Sequence, residues 1–354
     1  AELDRAAADL LSLQRGLTGE RQLIGSAYMD ENRRLGAYLL FYWFTSYTQT
    51  WAMLQMAQTA SLALQSARGT TGIRHEAVIT PAFQAGDEDS TEAVFRILDL
   101  GAGPAPCGIA AADWARAAFP VSGIEITACD QSTLALRIAE ELAQSAGATL
   151  RRVAPWRAGP DPIPEGRYNC IVMGHLLNEL WKDAPDRIAR RETFIIELGN
   201  YLAEGGILLI LEPALLDTGR DLLALRDRLV KSGWYIMAPC FTQGPCPAIA
   251  QHNQTCHSDF AWKPPRVVRE LEQRTGLNKD LVKTTALVLS RSQSWSMTTK
   301  TGVVHKDSAE PHQQFLIDNL YRVVSEPMLN KAGRRRLILC GKQGRIPLSA
   351  RLGD

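Results

Sequence analysis

The chain has 354 residues, 45% of them hydrophobic and 22% charged, and its 39 Lys and Arg against 38 Asp and Glu leave a net charge of +1. That supplies apolar material for one large or two modest domains of a soluble globular protein, and the balanced charge decides nothing about partners. Seven cysteines, an odd number, in a chain without a visible secretory signal argue against a disulfide framework; in a reducing compartment clustered thiols point to metal or catalysis.

The opening "ELDRAAADLLSLQ" is acidic and helix-prone, with neither the apolar core of a signal peptide nor the acid-poor look of a transit peptide. The aromatic run "LGAYLLFYWF" at 35–44 gives way to "TSYTQT". That is well short of the roughly 18 apolar residues of a membrane span, so no membrane is expected as a partner. Its mixed three- and four-residue spacing reads as a buried helix roofing a pocket, within an N-terminal helical unit over residues 1–72. From "FRILDL" onward, β-rich runs alternate with helical patterns: 108–118, "GIEITAC", 132–146, "TLRRV", "YNCIVMG", about 186–203, "GILLILE" and 217–232. That alternation predicts an α/β fold, a parallel sheet wound by helices on both faces, over residues 73–292. "WYIMA" and "TTALVLSR" are two further strands, and between them 238–262 forms a cysteine-rich insertion. The stretch 293–354 starts polar and becomes β-like at "RRRLILCGKQGRIPLSARL", where "GKQG" reads as a hairpin turn in a small, basic C-terminal domain.

"ILDLGAGPAPCG" joins the first strand to the first helix of the sheet. Asp99, Gly101, Ala102 and Gly103 form a tight turn at a helix N-terminus where a ligand can approach the backbone. A dinucleotide fingerprint would want glycine at Pro106, so a nicotinamide reading weakens. Asp130, followed by Gln131, ends the second strand, where a carboxylate can accept from both ribose hydroxyls of an adenosine-containing ligand. Together these predict an S-adenosylmethionine site on a Rossmann-like sheet. Ala105 stands where a third glycine is common, and its methyl is expected to narrow that site.

"LDLGAGP", "CDQS", "LLNEL", "GGILLILEP", and above all "APC" followed by "PCP" and "TCHSDF", resemble the ribosomal small-subunit methyltransferase-like family, whose mitochondrial members assist small-subunit assembly. The likeness runs from about 90 to 290 and resumes at "LILCGKQGR" and "RLGD". It implies a class I S-adenosylmethionine methyltransferase sheet, small-subunit ribosomal RNA or the small subunit as partner, and a [4Fe-4S] cluster. By position, the implied ligands are Cys240, Cys246, Cys256 and Cys340. It also implies a cytoplasmic location, or the mitochondrial matrix in a eukaryote. Independently of the family, four thiolates suit such a cluster, and Pro239, Pro245 and Pro247 stiffen the loop. Zinc is the competitor, yet its structural sites pair ligands two to four residues apart, whereas here five, nine and eighty-three residues intervene. His252 or His257 stands as a substitute ligand. Cys107, Cys129 and Cys170 read as small buried hydrophobes of the sheet.

Methyl transfer needs a nucleophile aligned behind the sulfonium methyl and a group to take its proton. "GHLLNEL" after the fourth strand offers His175, Asn178 and Glu179 for that work, although Asn178 and Glu179 also suit a helix cap. No "NPPY"-type amine motif and no cysteine nucleophile is present. Lys331, Arg334, Arg335, Arg336, Lys342, Arg345 and Arg351 around Cys340, with Lys263, Arg266 and Arg269 after Cys256, are expected to make a phosphate-binding face. Residues and resemblance together support a methyltransferase-like protein acting on small-subunit ribosomal RNA, in methylation or in ribosome assembly, with the fold better supported than the activity. Two alternatives stand beside it: a non-catalytic RNA-binding assembly or iron-sensing factor with a vestigial pocket, and a small-molecule methyltransferase.

Overall fold

The computed structural model describes residues 2–19, 28–67, 93–291, 320–329 and 333–350. The expected boundaries at 72 and 292 lie outside those residues, as do Lys331 and Arg351.

Three helices come first: α1 (Glu2–Gln14), α2 (Asn32–Leu40) and α3 (Tyr42–Ala67). The aromatic run is helical as expected, but it breaks at Phe41, whose backbone leaves the helical region at φ −133° and ψ −63°. The core alternates β1 (Val94–Leu100), α4 (Pro106–Ala118), β2 (Gly123–Cys129), α5 (Thr133–Ser145) and β3 (Thr149–Val153). It continues with β4 (Tyr168–Gly174), α6 (Arg187–Leu198), β5 (Leu202–Glu212), α7 (Leu216–Lys231) and β6 (Tyr235–Ala238). The cysteine segment follows, then β7 (Ser258–Ala261), α8 (Arg266–Thr275) and β8 (Leu281–Ser290).

The strands form one sheet in the order β3-β2-β1-β4-β5-β8-β6, with β7 also pairing β8. The pairs from β3 to β5 are parallel, whereas β8 runs antiparallel to β5, β6 and β7. The alternation of strands and helices announced the parallel part. It could not announce the reversal of β8, because residues alternate between faces identically in either direction. The result is the sheet of a class I methyltransferase-like domain. Strand order turns back between β1 and β4, so a crevice opens beyond their carboxyl ends.

Alternate residues feed cores on the two faces. Ile97, Cys170, Val172, Ile207 and Leu209 pack with α4 and α5, and Leu98, Leu100, Ile171, Met173, Leu208 and Ile210 pack with α6 and α7. Cys107, Cys129 and Cys170 are buried, as small apolar residues should be. Met53, Leu54 and Ala57 of α3 join the first core. That helix is fastened to α4 by Tyr47 donating to Asp113 Oδ2 at 2.7 Å and by Trp114 Nε1 donating to Gln58 Oε1 at 3.1 Å. Trp114 is 1% exposed and meets Phe95 and Phe119 edge-on. Trp114→Ala should cost about 3–5 kcal/mol of stability, read as a fall in the urea midpoint with an unchanged slope.

A second, four-stranded antiparallel sheet comprises β9 (Arg322–Val323), β10 (Met328–Leu329), β11 (Arg335–Gly341) and β12 (Gly344–Ala350). "GKQG" makes the β11–β12 hairpin, with Gly341 paired to Gly344. Among the described residues no helix is long and apolar enough to cross a membrane.

Candidate functional site

Beyond the ends of β1, β2 and β4 lies a cavity of about 710 Å³. Its floor is the glycine loop. Gly101 sits at φ +68°, and a Cβ there would come 2.9 Å from Leu176 Cδ1, so both the turn and the close packing call for glycine. The N–H groups of Gly101 and Ala102 donate to Cys129 O, which locks the loop to β2. Ala105 is fully buried in the left-handed region at φ 52° and does not line the cavity. The expectation that its methyl narrows the site is therefore corrected: that methyl packs into the α4 core.

Two carboxylates face this floor. Asp99 Oδ2 accepts the Gly108 N–H at 2.7 Å, while Oδ1 is buried with no partner. Burial pushes Asp99 up to about 7; the Gly108 N–H works against that shift and the charge of Asp130 adds to it. Asp130 accepts the Gly103 N–H on Oδ2 and the Ser132 N–H on Oδ1, each at 2.8 Å. Ser132 in turn caps α5, its Oγ accepting the Ala135 N–H at 3.0 Å. Gln131 lines the cavity beside Asp130. Trp156, 3% exposed, forms part of the wall and is fixed at both ends, its backbone N–H on Asp130 O and its Nε1–H on Pro162 O, each at 3.0 Å.

Opposite the floor, the "GHLLNEL" residues form a turn rather than a capped helix. His175 sits at φ 61°, donates its N–H to Leu211 O at 2.7 Å, and accepts Asn178 Nδ2 on its carbonyl at 2.7 Å. Its Nδ1 is buried without a partner. Burial, then the charge of Lys279, lowers His175 to about 4, so the imidazole is neutral at physiological pH. His175, Asn178 and Glu179 all line the cavity, with Tyr38, Tyr42 and Gln49 from α2 and α3 on another side. The helical roof expected from the aromatic run is thus present.

Just behind the wall, Glu212 is 2% exposed at the end of β5. Burial pushes it up to about 8, with Asn178 and Arg191 pulling the other way. A carboxyl raised in the folded state binds more protons there than in the unfolded chain, so its contribution falls as pH rises from the ordinary carboxyl range through about 8. Glu212→Gln should remove that slope. The gap in denaturation midpoint between variant and parent should move in the variant's favour from pH 5 to pH 8, and a gap independent of pH would refute it.

A second cavity gathers Cys240, Cys246, Cys256 and Cys340 with Arg226, Arg322 and Arg345. Cys240 and Cys246 lie on the loop after β6, Cys256 just before β7, and Cys340 on β11 of the other sheet. Burial pushes Cys240 up to about 11, against the pull of the Arg226 and Arg322 guanidiniums. Asp227 of α7 accepts the Cys246 N–H at 3.1 Å, and Arg220 donates to Gln251 O at 2.6 Å and Gln254 O at 2.9 Å, so α7 holds the loop in shape. Among the described residues, no three His, Cys, Asp or Glu side chains converge closely enough to hold a single metal ion. His252 and His257 do not line this cavity. Arg345, expected on the basic surface, instead turns inward to Gln254 Oε1 and Thr255 O.

The model of the family described as "Mitochondrial small ribosomal subunit Rsm22" matches residues 78–347, about three quarters of the chain. This chain belongs to the Rsm22 family. The match takes in the glycine loop, the cysteine loop and the Cys340 strand, but not the helical wall that Tyr38, Tyr42 and Gln49 give the first cavity. No curated protein matches the chain. Solved structures similar to parts of it include a methyltransferase from Pyrococcus furiosus, at 13% identity and a TM-score of 0.33, covering 55% of this chain and 74% of that one. Another is a SAM-dependent methyltransferase from Geobacter sulfurreducens in complex with S-adenosyl-L-homocysteine, at 17% identity and 0.32, covering 56% and 85%. The fold of this Rsm22-family chain rests on its own strand order rather than on those likenesses.

Proposed function

We propose that the chain is an S-adenosylmethionine-dependent methyltransferase acting on small-subunit ribosomal RNA, with a [4Fe-4S] cluster on Cys240, Cys246, Cys256 and Cys340. The observation that carries the first half is the large cavity at the strand-order reversal, floored by Asp99, the Gly101–Gly103 backbone and Asp130. On this reading Asp130, with Gln131 beside it, receives the ribose hydroxyls; each of its oxygens has a lone pair beyond its backbone bond. Asp99 Oδ1, buried and unpartnered, faces the cationic end of the cofactor. His175 Nδ1 takes the proton of the acceptor, being neutral and unpartnered, and Asn178 holds the turn that aims it. Glu179 lines the same wall. The family description favours the small ribosomal subunit as partner, and with it the mitochondrial matrix in a eukaryote or the cytoplasm in a bacterium. A vestigial pocket gains no support from Ala105, because its methyl does not enter the cavity.

For the metal, the donor set fits a cluster better than zinc. Four thiols share one cavity, and five, nine and eighty-three residues separate them along the chain, whereas structural zinc ligands usually come in pairs two to four residues apart. When bound, the cluster would cross-link the cysteine loop to the second sheet, and in doing so contribute to folding.

Isothermal titration of the purified chain with S-adenosylmethionine tests the cofactor reading directly, and saturable binding at one site per chain is expected. A flat titration of folded protein contradicts it. For the RNA reading, Arg334 precedes β11 and Arg335 and Arg336 begin it, all three exposed. Replacing all three by alanine should reduce the slope of log affinity against log salt for small-subunit RNA by roughly 2–3, as released counterions are lost. An unchanged slope in anisotropy titrations moves the interface elsewhere.

A further inference from the structure

Around the four thiols, fixed positive charge exceeds fixed negative charge. Arg226 of α7 is 1% exposed; it donates to Thr242 O at 2.6 Å, to Gly244 O and to Asp227 Oδ1, and its Nε is buried without a partner. Arg322 of β9 places Nη1 3.5 Å from Cys256 Sγ and donates from Nη2 to His257 O at 2.6 Å and Ser258 Oγ at 2.8 Å. Arg345 of β12 donates to Gln254 Oε1 at 2.8 Å and Thr255 O at 3.0 Å, and its Nε too is buried and unpartnered. No carboxylate lines this cavity among the described residues, and Asp227 behind it offsets one guanidinium.

A guanidinium withdrawn from water without counter-charge is costly to keep, fully for the buried Arg226 and in part for the half-buried Arg322 and Arg345, and so are buried N–H groups without acceptors. Neutral thiols would leave both costs standing. An oxidised four-iron core ligated by four thiolates carries two negative charges overall. With the carboxylate of Asp227 it balances the three arginines and offers sulfur acceptors to the unpartnered Nε–H groups. The C-terminal sheet therefore brings two of the three cations together with the fourth cysteine, since Arg322, Cys340 and Arg345 lie on adjacent strands paired at Cys340.

We propose that Arg226, Arg322 and Arg345 are the counter-charge of the four-cysteine centre, and that Arg322, donating beside Cys256 Sγ, raises its reduction potential; this rests on the iron–sulfur reading above. One-electron reduction adds a negative charge to the centre. An N–H donor at a ligand sulfur and a nearby guanidinium both favour the more negative state. The three arginines are positioning residues: they touch ligands and loop rather than iron.

The test uses the full chain, purified anaerobically. Iron and acid-labile sulfide are measured first, and the potential is then followed by electron paramagnetic resonance during reduction with dithionite. Arg322→Gln should make reduction at least tenfold less favourable, about 59 mV more negative for one electron, with Arg322→Lys recovering most of that shift. Arg345→Gln should move the potential in the same direction, which keeps the test decisive if Arg322→Gln does not retain its cluster. Arg96→Gln, half-exposed on β1 and outside both cavities, should leave the potential unchanged. Parent protein lacking iron and sulfide overturns the cluster reading itself. Iron-loaded parent and glutamine variants that share one potential overturn the arginine inference alone.

Discussion

Asp130→Ala is expected to weaken S-adenosylmethionine binding by a hundredfold or more, about 3 kcal/mol, in calorimetric titration. Two losses add. The carboxylate that would receive two ribose hydroxyls is removed, and charge-assisted hydrogen bonds to a ribose are each worth roughly 1.5–3 kcal/mol. The same carboxylate bridges the Gly103 N–H and the Ser132 N–H, so its loss also leaves the glycine loop and the start of α5 without their shared acceptor. Asp130→Asn separates the two. Its remaining carbonyl oxygen can serve only one of those N–H groups, so it should fall between parent and alanine in both affinity and stability. Affinity unchanged in a folded Asp130→Ala protein would remove Asp130 from the cofactor site.

Cys340→Ser should lose iron, acid-labile sulfide and the brown colour of the anaerobically purified protein. The cavity offers three sulfurs from the loop after β6 and the fourth only from β11, so no neighbouring thiol can substitute. Limited proteolysis should then cleave within the C-terminal sheet faster than in the parent, because the metal cross-link between the two sheets is gone. The sheet should not come away entirely: Arg322 still reaches His257 O and Ser258 Oγ, and Arg345 still reaches Thr255 O. Cys107→Ser should keep its iron, since that sulfur lies at the start of α4, away from this cavity. A Cys340→Ser protein with a full complement of iron would refute the four-cysteine site.

What could be read from the sequence follows from how local each signal is. The glycine turn, Asp130 at a strand end and the alternation of strands with helices are local patterns, and the structure places all of them where the spacing puts them. The cysteines could be grouped only through the Pro-rich loop and the family resemblance, since nothing local ties Cys340 to Cys256 across eighty-three intervening residues. Arg226 and Arg322 escaped, and Arg345 was read as part of a phosphate-binding surface, because an arginine on a helix or an edge strand looks solvated until its partners are known. Arg322 meets Cys256 across 66 positions. Trp156 and Lys279 line the first cavity from loops with no periodicity to announce them. β7, four residues long, was hidden in the segment that the cysteines dominated, and α8 in the polar stretch that follows it.

The most direct measurement of the central claim is transfer of a tritium-labelled methyl group from S-adenosylmethionine to small-subunit ribosomal RNA by anaerobically purified, iron-loaded protein. His175→Ala and Asp130→Ala run alongside as controls. The account predicts label in the RNA with the parent and its loss with both variants. Tight S-adenosylmethionine binding with no label in naked RNA or in assembling small subunits would contradict it, and would leave a protein that binds the cofactor without using it.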